Sequence, residues 1–273
     1  MLKQRILTAI ILIPIVVSAI LFLPTPYLAI LFALLCIGGA IEWAKLSGMD
    51  ECAAMAVYPL FIMMAIGGCY WLKTQNWELY LLGPVSLFWL VMMPVLLARR
   101  KPIGKDSGLN IIFLIIGLIL LSSTWLSLTL LHHHNKMGAG ILLFVLVLIW
   151  VADSGAYFTG KKFGKNKLAP VVSPGKTREG LYGALAFGLI WSLGYYWYQP
   201  YDGVNLGEFI ALCVLVVVVS MVGDLFESLL KRKRDIKDSG HILPGHGGIL
   251  DRVDSMIAAA PVFYTGLILL EKV

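Results

Sequence analysis

Four polar residues near the end of a long apolar run have the spacing of one helix face. Asp224, Glu227, Ser228 and Lys231 stand at i, i+3, i+4 and i+7 within the segment Gly223–Asp235. If the helix continues past the apolar run, this spacing places all four on the same side. A carboxylate at the edge of a membrane is costly unless it is paired or bound to a metal. The stripe therefore predicts either a polar cavity or a Glu–Lys helix pair followed by a basic stop at the lipid headgroups.

A glycine-rich segment with two aspartates and an arginine follows this stripe. It spans His241–Ser255 and contains Gly247 and Gly248. Glycine adopts backbone conformations closed to other residues, and such loops can turn several N–H groups toward an anion. His246, flanked by glycines, is a candidate donor to phosphate or an organiser of the loop. The segment therefore predicts a site for an anionic group.

Three aspartates are the predicted ligands of a divalent cation. Asp251 and Asp254 stand three apart where the last helix is expected to begin, and helix capping explains one of them better than both. Together with Asp224 they offer the carboxylate oxygens that Mg²⁺ prefers, while leaving places for phosphate oxygens. A further acid, Glu42, lies near the end of an earlier apolar run. Its role stays open between pairing with a basic residue and lining the cavity.

A second polar segment, Asp153–Gly180, is basic and rich in glycine and is predicted to be a loop. Lys176 and Arg178 would donate to phosphate or pyrophosphate, and Asp153 would contact metal or nucleotide. A solvated basic loop is the alternative, and it is favoured for Lys161–Lys167. The candidate substrate-binding residues of the segment are Asp153, Ser173, Lys176, Thr177 and Arg178.

Nine apolar runs long enough to cross a bilayer must position these residues. Of the 273 residues, 59% are hydrophobic and 14% are charged, whereas an ordinary globular chain has about 25% charged residues. A crossing needs roughly 17–25 mostly apolar residues, and lipid forces each one to be helical. The sequence thus predicts an all-α, polytopic transmembrane bundle. The runs are Ile6–Leu23, Tyr27–Leu46, Ala53–Leu72, Leu79–Ala98, Leu109–Leu131, Gly140–Phe158, Leu181–Tyr198, Phe209–Leu230 and Asp254–Leu270.

The distribution of Lys and Arg predicts the orientation of the bundle. If the N-terminus is cytosolic and the nine runs alternate, every Lys and Arg except Lys73, Lys136 and Lys272 falls on the cytosolic side. This asymmetry agrees with the positive-inside rule and places the active site at the cytosolic helix ends. The net charge of +6 comes with no nucleic-acid-binding motif, so we expect no nucleic-acid partner.

The chain is predicted to be a single integral membrane domain, 1–273. Residues 1–138 are mainly scaffold helices, and residues 139–273 carry the catalytic helices and cytosolic loops. No hydrophilic stretch is long enough for a separate soluble core.

The segment from Ser228 to Asp254 resembles the signature of the phosphatidate cytidylyltransferase family. That pattern asks for Ser, Lys-Arg, Lys-Asp, Pro, His-Gly-Gly, Asp-Arg and a final Asp. The earlier elements DSGAYF, GKKFG and SPGKTREG are similar to elements of the same family. The matching positions of the signature are Ser228, Lys231, Arg232, Lys237, Asp238, Pro244, His246, Gly247, Gly248, Asp251, Arg252 and Asp254.

The resemblance implies a membrane nucleotidyltransferase that makes CDP-diacylglycerol and pyrophosphate from CTP and phosphatidate. It implies Mg²⁺ as cofactor and leaves a second cation and a homodimer open. The compact length and the lack of extra domains lead us to expect a bacterial inner membrane as the location. The catalytic residues it implies are Asp224, Asp251, Lys176, Lys231 and Arg252. The substrate-binding residues are Asp153, Ser173, Lys176, Thr177, Arg178, Ser228, His246, Gly247 and Gly248, and the metal ligands are Asp224, Asp251 and Asp254.

The main alternative is a transporter of an anionic solute or lipid. Acidic residues inside membrane helices and a polar cavity would suit such a function. Transporters, however, often show repeats and broken helices in both halves, whereas the polar residues of this chain gather in its second half.

Overall fold

The chain folds into ten helices and one small hairpin over the residues described. The computed structural model describes residues 2–101, 104–105, 108–134, 138–199, 203–240 and 247–271, with side chains from Ile10 onward. The helices are α1 Leu2–Phe22, α2 Thr25–Leu46, α3 Glu51–Ala56, α4 Tyr58–Thr74, α5 Glu78–Ala98, α6 Ile111–His133, α7 Gly138–Phe163, α8 Arg178–Tyr198, α9 Leu206–Lys233 and α10 Leu250–Glu271; the strands are β1 Lys167–Ala169 and β2 Ser173–Thr177.

Each of the nine predicted apolar runs coincides with a helix, and α3 with α4 forms one interrupted helix. Pro59 stands in the first turn of α4, where a proline is tolerated but disfavours helix in the residue before it. Within the part of the chain that the structure describes, seven helices are long and apolar enough to cross a membrane: α2, α3 with α4, α5, α6, α7, α9 and α10. The chain is therefore an integral membrane protein. The crossings by α1 and α8 stay predictions. The described apolar part of α1, Ile10–Phe22, is shorter, and α8 is not among the seven helices.

The polar segment after the sixth apolar run is helix and hairpin, and the prediction of one long loop was wrong. Helix α7 continues to Phe163, so Asp153 lies on a helix, and α8 begins at Arg178. Between them β1 and β2 pair in antiparallel register, with Lys167 opposite Thr177. Hydropathy marks where a helix leaves lipid, whereas the helix itself ends only where its backbone hydrogen bonds end.

Helices α9 and α10 pack closely and carry the signature residues. A Cβ at Gly223 on α9 would overlap the carbonyl oxygen of Asp254 on α10, so the two backbones meet there. One turn further along α9, Phe226 lies between Trp43 of α2 and Trp89 of α5, with ring centroids 6.1 Å and 5.6 Å away. The aromatic group therefore fixes α9 against the scaffold helices directly beside its polar stripe.

Basic residues gather at one end of the bundle, which we call the basic end and define by Lys45, Lys105, Lys233 and Arg234. Lys105 pairs with Asp235 at 2.6 Å, and Arg234 Nη2 donates to the Gly108 carbonyl oxygen at 2.7 Å. The division of Lys and Arg between the two sides of the membrane and the assignment of the basic end to the cytosol both stay predictions.

Replacing Phe226 by alanine is expected to loosen this support. The ring is 3% exposed, and Phe→Ala in a core costs about 3–5 kcal/mol. Because lipid removes much of the hydrophobic part, we expect about 3 kcal/mol and an apparent melting temperature several degrees lower in detergent. Phe187→Ala is the control, since that ring is 45% exposed. Equal melting temperatures for the two variants would contradict the supporting role.

Candidate active site

A cavity of about 420 Å³ opens between α7, β2, α8 and α9. Four predicted site residues line it: Asp153 from α7, Lys176 and Thr177 from β2, and Asp224 from α9. Alanine, valine and methionine side chains form much of the remaining wall. Lys176 Nζ lies 2.7 Å from Asp224 Oδ2 and donates to the Met221 carbonyl oxygen at 3.2 Å. The sequence elements around Asp153, Lys176 and Asp224 thus meet in one cavity.

The hairpin holds Lys176 in place through the start of α8. Thr177 Oγ1 accepts a hydrogen bond from the Gly180 N–H at 3.1 Å and caps the helix. The Glu179 carboxylate accepts from Asn166 and from the Lys165 N–H. Hydrogen bonds from its own backbone N–H and from these groups lower the pKa of Glu179 to about 2. Thr177, the residue after Lys176, is therefore buried and serves as the helix cap. Its predicted contact with substrate stays a prediction.

The polar stripe on α9 exists as predicted, because the helix continues to Lys233. Ser228 Oγ donates to Asp224 Oδ1 at 3.2 Å. Together with Lys176 on Oδ2, this contact engages both carboxylate oxygens of Asp224. The carboxylate is thereby aimed at the cavity.

Lys231 lies between two carboxylates at the end of the stripe. Its Nζ is 2.6 Å from Asp251 Oδ1 and 3.1 Å from Glu227 Oε1. Both carboxylates are largely shielded, with side-chain exposures of 8% and 3%. Lys231 Nζ is thus the ion-pair partner that the structure gives to the buried Glu227 carboxylate.

Asp251 organises the glycine-rich loop at the start of α10. Its Oδ2 accepts from the Ser239 N–H at 2.9 Å, the Ser239 Oγ at 3.0 Å and the Gly248 N–H at 2.9 Å. Gly247 has φ +79°, in the left-handed region that favours glycine. The Gly248 N–H therefore points at the chain's own carboxylate, and the substrate contacts of both glycines stay predictions.

Asp254 lies on the next turn of α10 and brings a further charge toward the cavity. Its Oδ1 accepts from the Ser255 N–H at 2.6 Å. It interacts electrostatically with Asp224, Lys176 and Asp153. Three acids from three helices thus interact with one lysine, and Asp224 forms the ion pair with it.

The other predicted residues lie around these two clusters. Arg178 and Arg252 are exposed, in the first turns of α8 and α10, and Ser173 begins β2. His246 falls outside the described residues.

The sequence left the role of Glu42 open between pairing with a basic residue and lining the cavity. Among the described residues the structure supports neither alternative: the Glu42 carboxylate accepts hydrogen bonds from Ser239 Oγ and two backbone N–H groups. A single acid in an otherwise apolar run was the signal for it.

The acids suit a divalent cation that retains some ligands from water or phosphate. Within the described ranges, no three His, Cys, Asp or Glu side chains are placed to enclose a metal by themselves. Mg²⁺ usually takes one or two carboxylates and keeps waters or substrate phosphates. The Asp224 carboxylate, which lines the cavity, offers oxygen ligands of the kind such an ion takes.

The chain is similar to known proteins over nearly its whole length. The model of the cytidylyltransferase family matches residues 3–270. A phosphatidate cytidylyltransferase of Pseudomonas aeruginosa is 41% identical over 263 residues, 96% of each chain. Those of Haemophilus influenzae and Bacillus subtilis are 38% and 31% identical, covering 96% of this chain and 97% and 96% of their own.

Lys231→Met is expected to destabilise the protein strongly, because it leaves Glu227 and Asp251 without their shared cation. Removing one partner of a buried ion pair costs about 3–5 kcal/mol. Adding Glu227→Gln should recover part of that loss, since one uncompensated charge disappears. Thermal unfolding in detergent measures both, with Lys165→Met as the exposed control. A melting temperature for Lys231→Met equal to wild type would contradict the pairing.

Proposed function

The chain belongs to the cytidylyltransferase family, and from that premise we propose that it transfers CMP from CTP to phosphatidate, giving CDP-diacylglycerol and pyrophosphate. As a family member it is a nucleotidyltransferase rather than a transporter. Relatives that match it over nearly their whole length are named for phosphatidate, which supports the choice of lipid substrate.

One observation carries the proposal: Lys176 and Asp224 form an ion pair inside the cavity that Asp153 also lines. Joining two anions requires a cation for phosphate and acids for a metal within one space. Lys176 supplies the first and Asp224 contributes to the second, while Asp153 is proposed to contact the substrate. Apolar side chains form much of the remaining wall, and charges beside such a wall act more strongly on phosphate than they do in water.

The reaction forms one P–O bond and breaks another. A phosphate oxygen of phosphatidate attacks the α-phosphorus of CTP, and the bond from that phosphorus to the bridging oxygen breaks to release pyrophosphate. Such transfers depend mainly on alignment and charge stabilisation. Lys176 and Arg178 are proposed to hold the triphosphate, and Arg252 to hold the lipid phosphate. Since a phosphomonoester has a second pKa of about 6, the attacking oxygen needs no general base.

A bound Mg²⁺ would neutralise developing charge on the phosphate oxygens. The residues proposed to hold it are Asp224, Asp251 and Asp254. Ser228 keeps the Asp224 carboxylate oriented, and Lys231 does the same for Asp251. Each carboxylate is already oriented, and on binding the cation would replace one of its present ion-pair contacts.

The membrane supplies one substrate and water the other. The acyl chains of phosphatidate stay in lipid while its phosphate lies at the surface, where helix ends meet water. The site lies where α9 ends and α10 begins, on the side that carries the basic end. We propose that this side faces the cytosol of a bacterial inner membrane, where CTP is available.

Purified protein in detergent is expected to transfer label from α-labelled CTP to phosphatidate when Mg²⁺ is present. Asp251→Asn and removal of divalent metal by a chelator should each abolish the transfer, because both remove part of the proposed metal site. Folded protein that transfers no label to several phosphatidates with several divalent metals would overturn the substrate assignment.

Lys176→Met is expected to lower kcat/KM for CTP by a factor of about 100, since a charge-assisted contact to phosphate is lost. The matched control is Lys165→Met, whose side chain is exposed on the same connection. Steady-state kinetics at saturating phosphatidate measure both. Equal losses in the two variants would mean that Lys176 acts only through the general positive charge.

A further inference from the structure

Glu42 is a carboxylate from a scaffold helix that lies inside the signature region. It belongs to α2 and is 3% exposed. Its Oε1 accepts from the Ile249 N–H at 3.0 Å, and its Oε2 accepts from the Leu250 N–H at 2.8 Å and Ser239 Oγ at 2.8 Å. Three donors therefore compensate the burial of this acid, and two of them are the backbone groups that start α10.

Ser239 joins Glu42 to Asp251. Its hydroxyl oxygen lies 2.8 Å from Glu42 Oε2 and 3.0 Å from Asp251 Oδ2. A hydroxyl has one proton to donate, so the two acids share a single O–H. The backbone N–H of Ser239 also donates to Asp251. Any movement of Glu42 is thus transmitted to Asp251 through one residue.

Two glycines leave the space that this arrangement needs. A Cβ at Gly240 or at Gly248 would overlap the carboxylate of Glu42. Both glycines flank the residues that hydrogen-bond to the acids, Ser239 on one side and Ile249 on the other. The loop is therefore folded onto Glu42 from both of its ends.

We propose that Glu42 is a positioning residue that fixes Asp251 for the transfer reaction. Glu42 holds Ser239 and the first N–H groups of α10, and these in turn determine where the Asp251 carboxylate lies relative to Lys231. The inference rests on the proposed function for its kinetic consequence, while its structural part stands on the contacts alone.

The direct test is Glu42→Gln, which keeps the shape and loses one acceptor oxygen. The amide places an NH₂ against an N–H or O–H donor, so at least one of the three hydrogen bonds is broken. We expect kcat to fall at least tenfold and the Mg²⁺ concentration for half-maximal activity to rise severalfold. We also expect faster amide hydrogen exchange at Ser239 and across Gly248–Leu250. Glu42→Asp keeps both acceptor oxygens on a shorter side chain, so its kcat and Mg²⁺ dependence should lie between those of wild type and Glu42→Gln.

The matched control is Ser86→Ala. Ser86 is 7% exposed, as is Ser239, and its hydroxyl contacts Pro261 and Thr265 of α10 away from the loop. This variant should lower the melting temperature without moving the Mg²⁺ dependence. Ser239→Ala should reproduce the Glu42→Gln phenotype. The double variant should lower kcat by less than the product of the two single losses, because both substitutions act through one contact.

The outcomes separate the two proposals. Wild-type protein that transfers no label would remove the proposed function, and hydrogen exchange, which needs neither substrate nor metal, would still decide the structural part. Active wild type combined with Glu42→Gln at wild-type kcat, Mg²⁺ dependence and exchange would overturn the role of Glu42. If Glu42→Gln only lowers the amount of folded protein, and the folded fraction keeps the wild-type Mg²⁺ dependence, Glu42 is a structural residue and the positioning role is overturned.

Discussion

Charges at the edge of a membrane must be paired, and the region around Lys231 depends on that constraint. Lys231 faces Glu227 and Asp251, and all three are shielded from solvent. In surroundings of low dielectric an uncompensated charge costs several kcal/mol, so α9 and α10 must hold a fixed register. The packing of Gly223 against Asp254 and the aromatic contacts of Phe226 serve the same requirement from the apolar side.

Lys176 and Lys231 belong to two clusters that differ in their exposure to solvent. Lys176 and Asp224 form an ion pair that is partly open to the cavity, so phosphate and metal can replace each partner's present contact. Lys231 and Asp251 are more shielded, and Asp251 is held by loop donors as well. The first cluster is thus more open to an exchange of partners during turnover, whereas the second also keeps the glycine-rich loop and α10 in position around the proposed metal ligand Asp251. Glu42 connects the second cluster to α2, which links scaffold and site.

Helix positions were predictable from hydropathy, because lipid requires every backbone group to be paired, whereas hydropathy alone does not indicate where α7 and α9 end. Both helices continue past their apolar runs, and for α9 the spacing of Asp224 and Lys231 indicated it. The antiparallel pairing of Lys167 with Thr177 has no signal in hydropathy. The sequence grouped Asp224, Asp251 and Asp254 by resemblance, but the separate lysine partners and the role of Glu42 depend on contacts between residues up to 208 positions apart.

The central claim is that CTP is bound in the cavity between α7, β2, α8 and α9, with Lys176 on its phosphates. A structure determined with CTP and Mg²⁺ bound tests this most directly. The account predicts the triphosphate within hydrogen-bonding distance of Lys176 Nζ and the cation on Asp224. A nucleotide bound outside this cavity, with the Lys176–Asp224 ion pair unchanged, would contradict it.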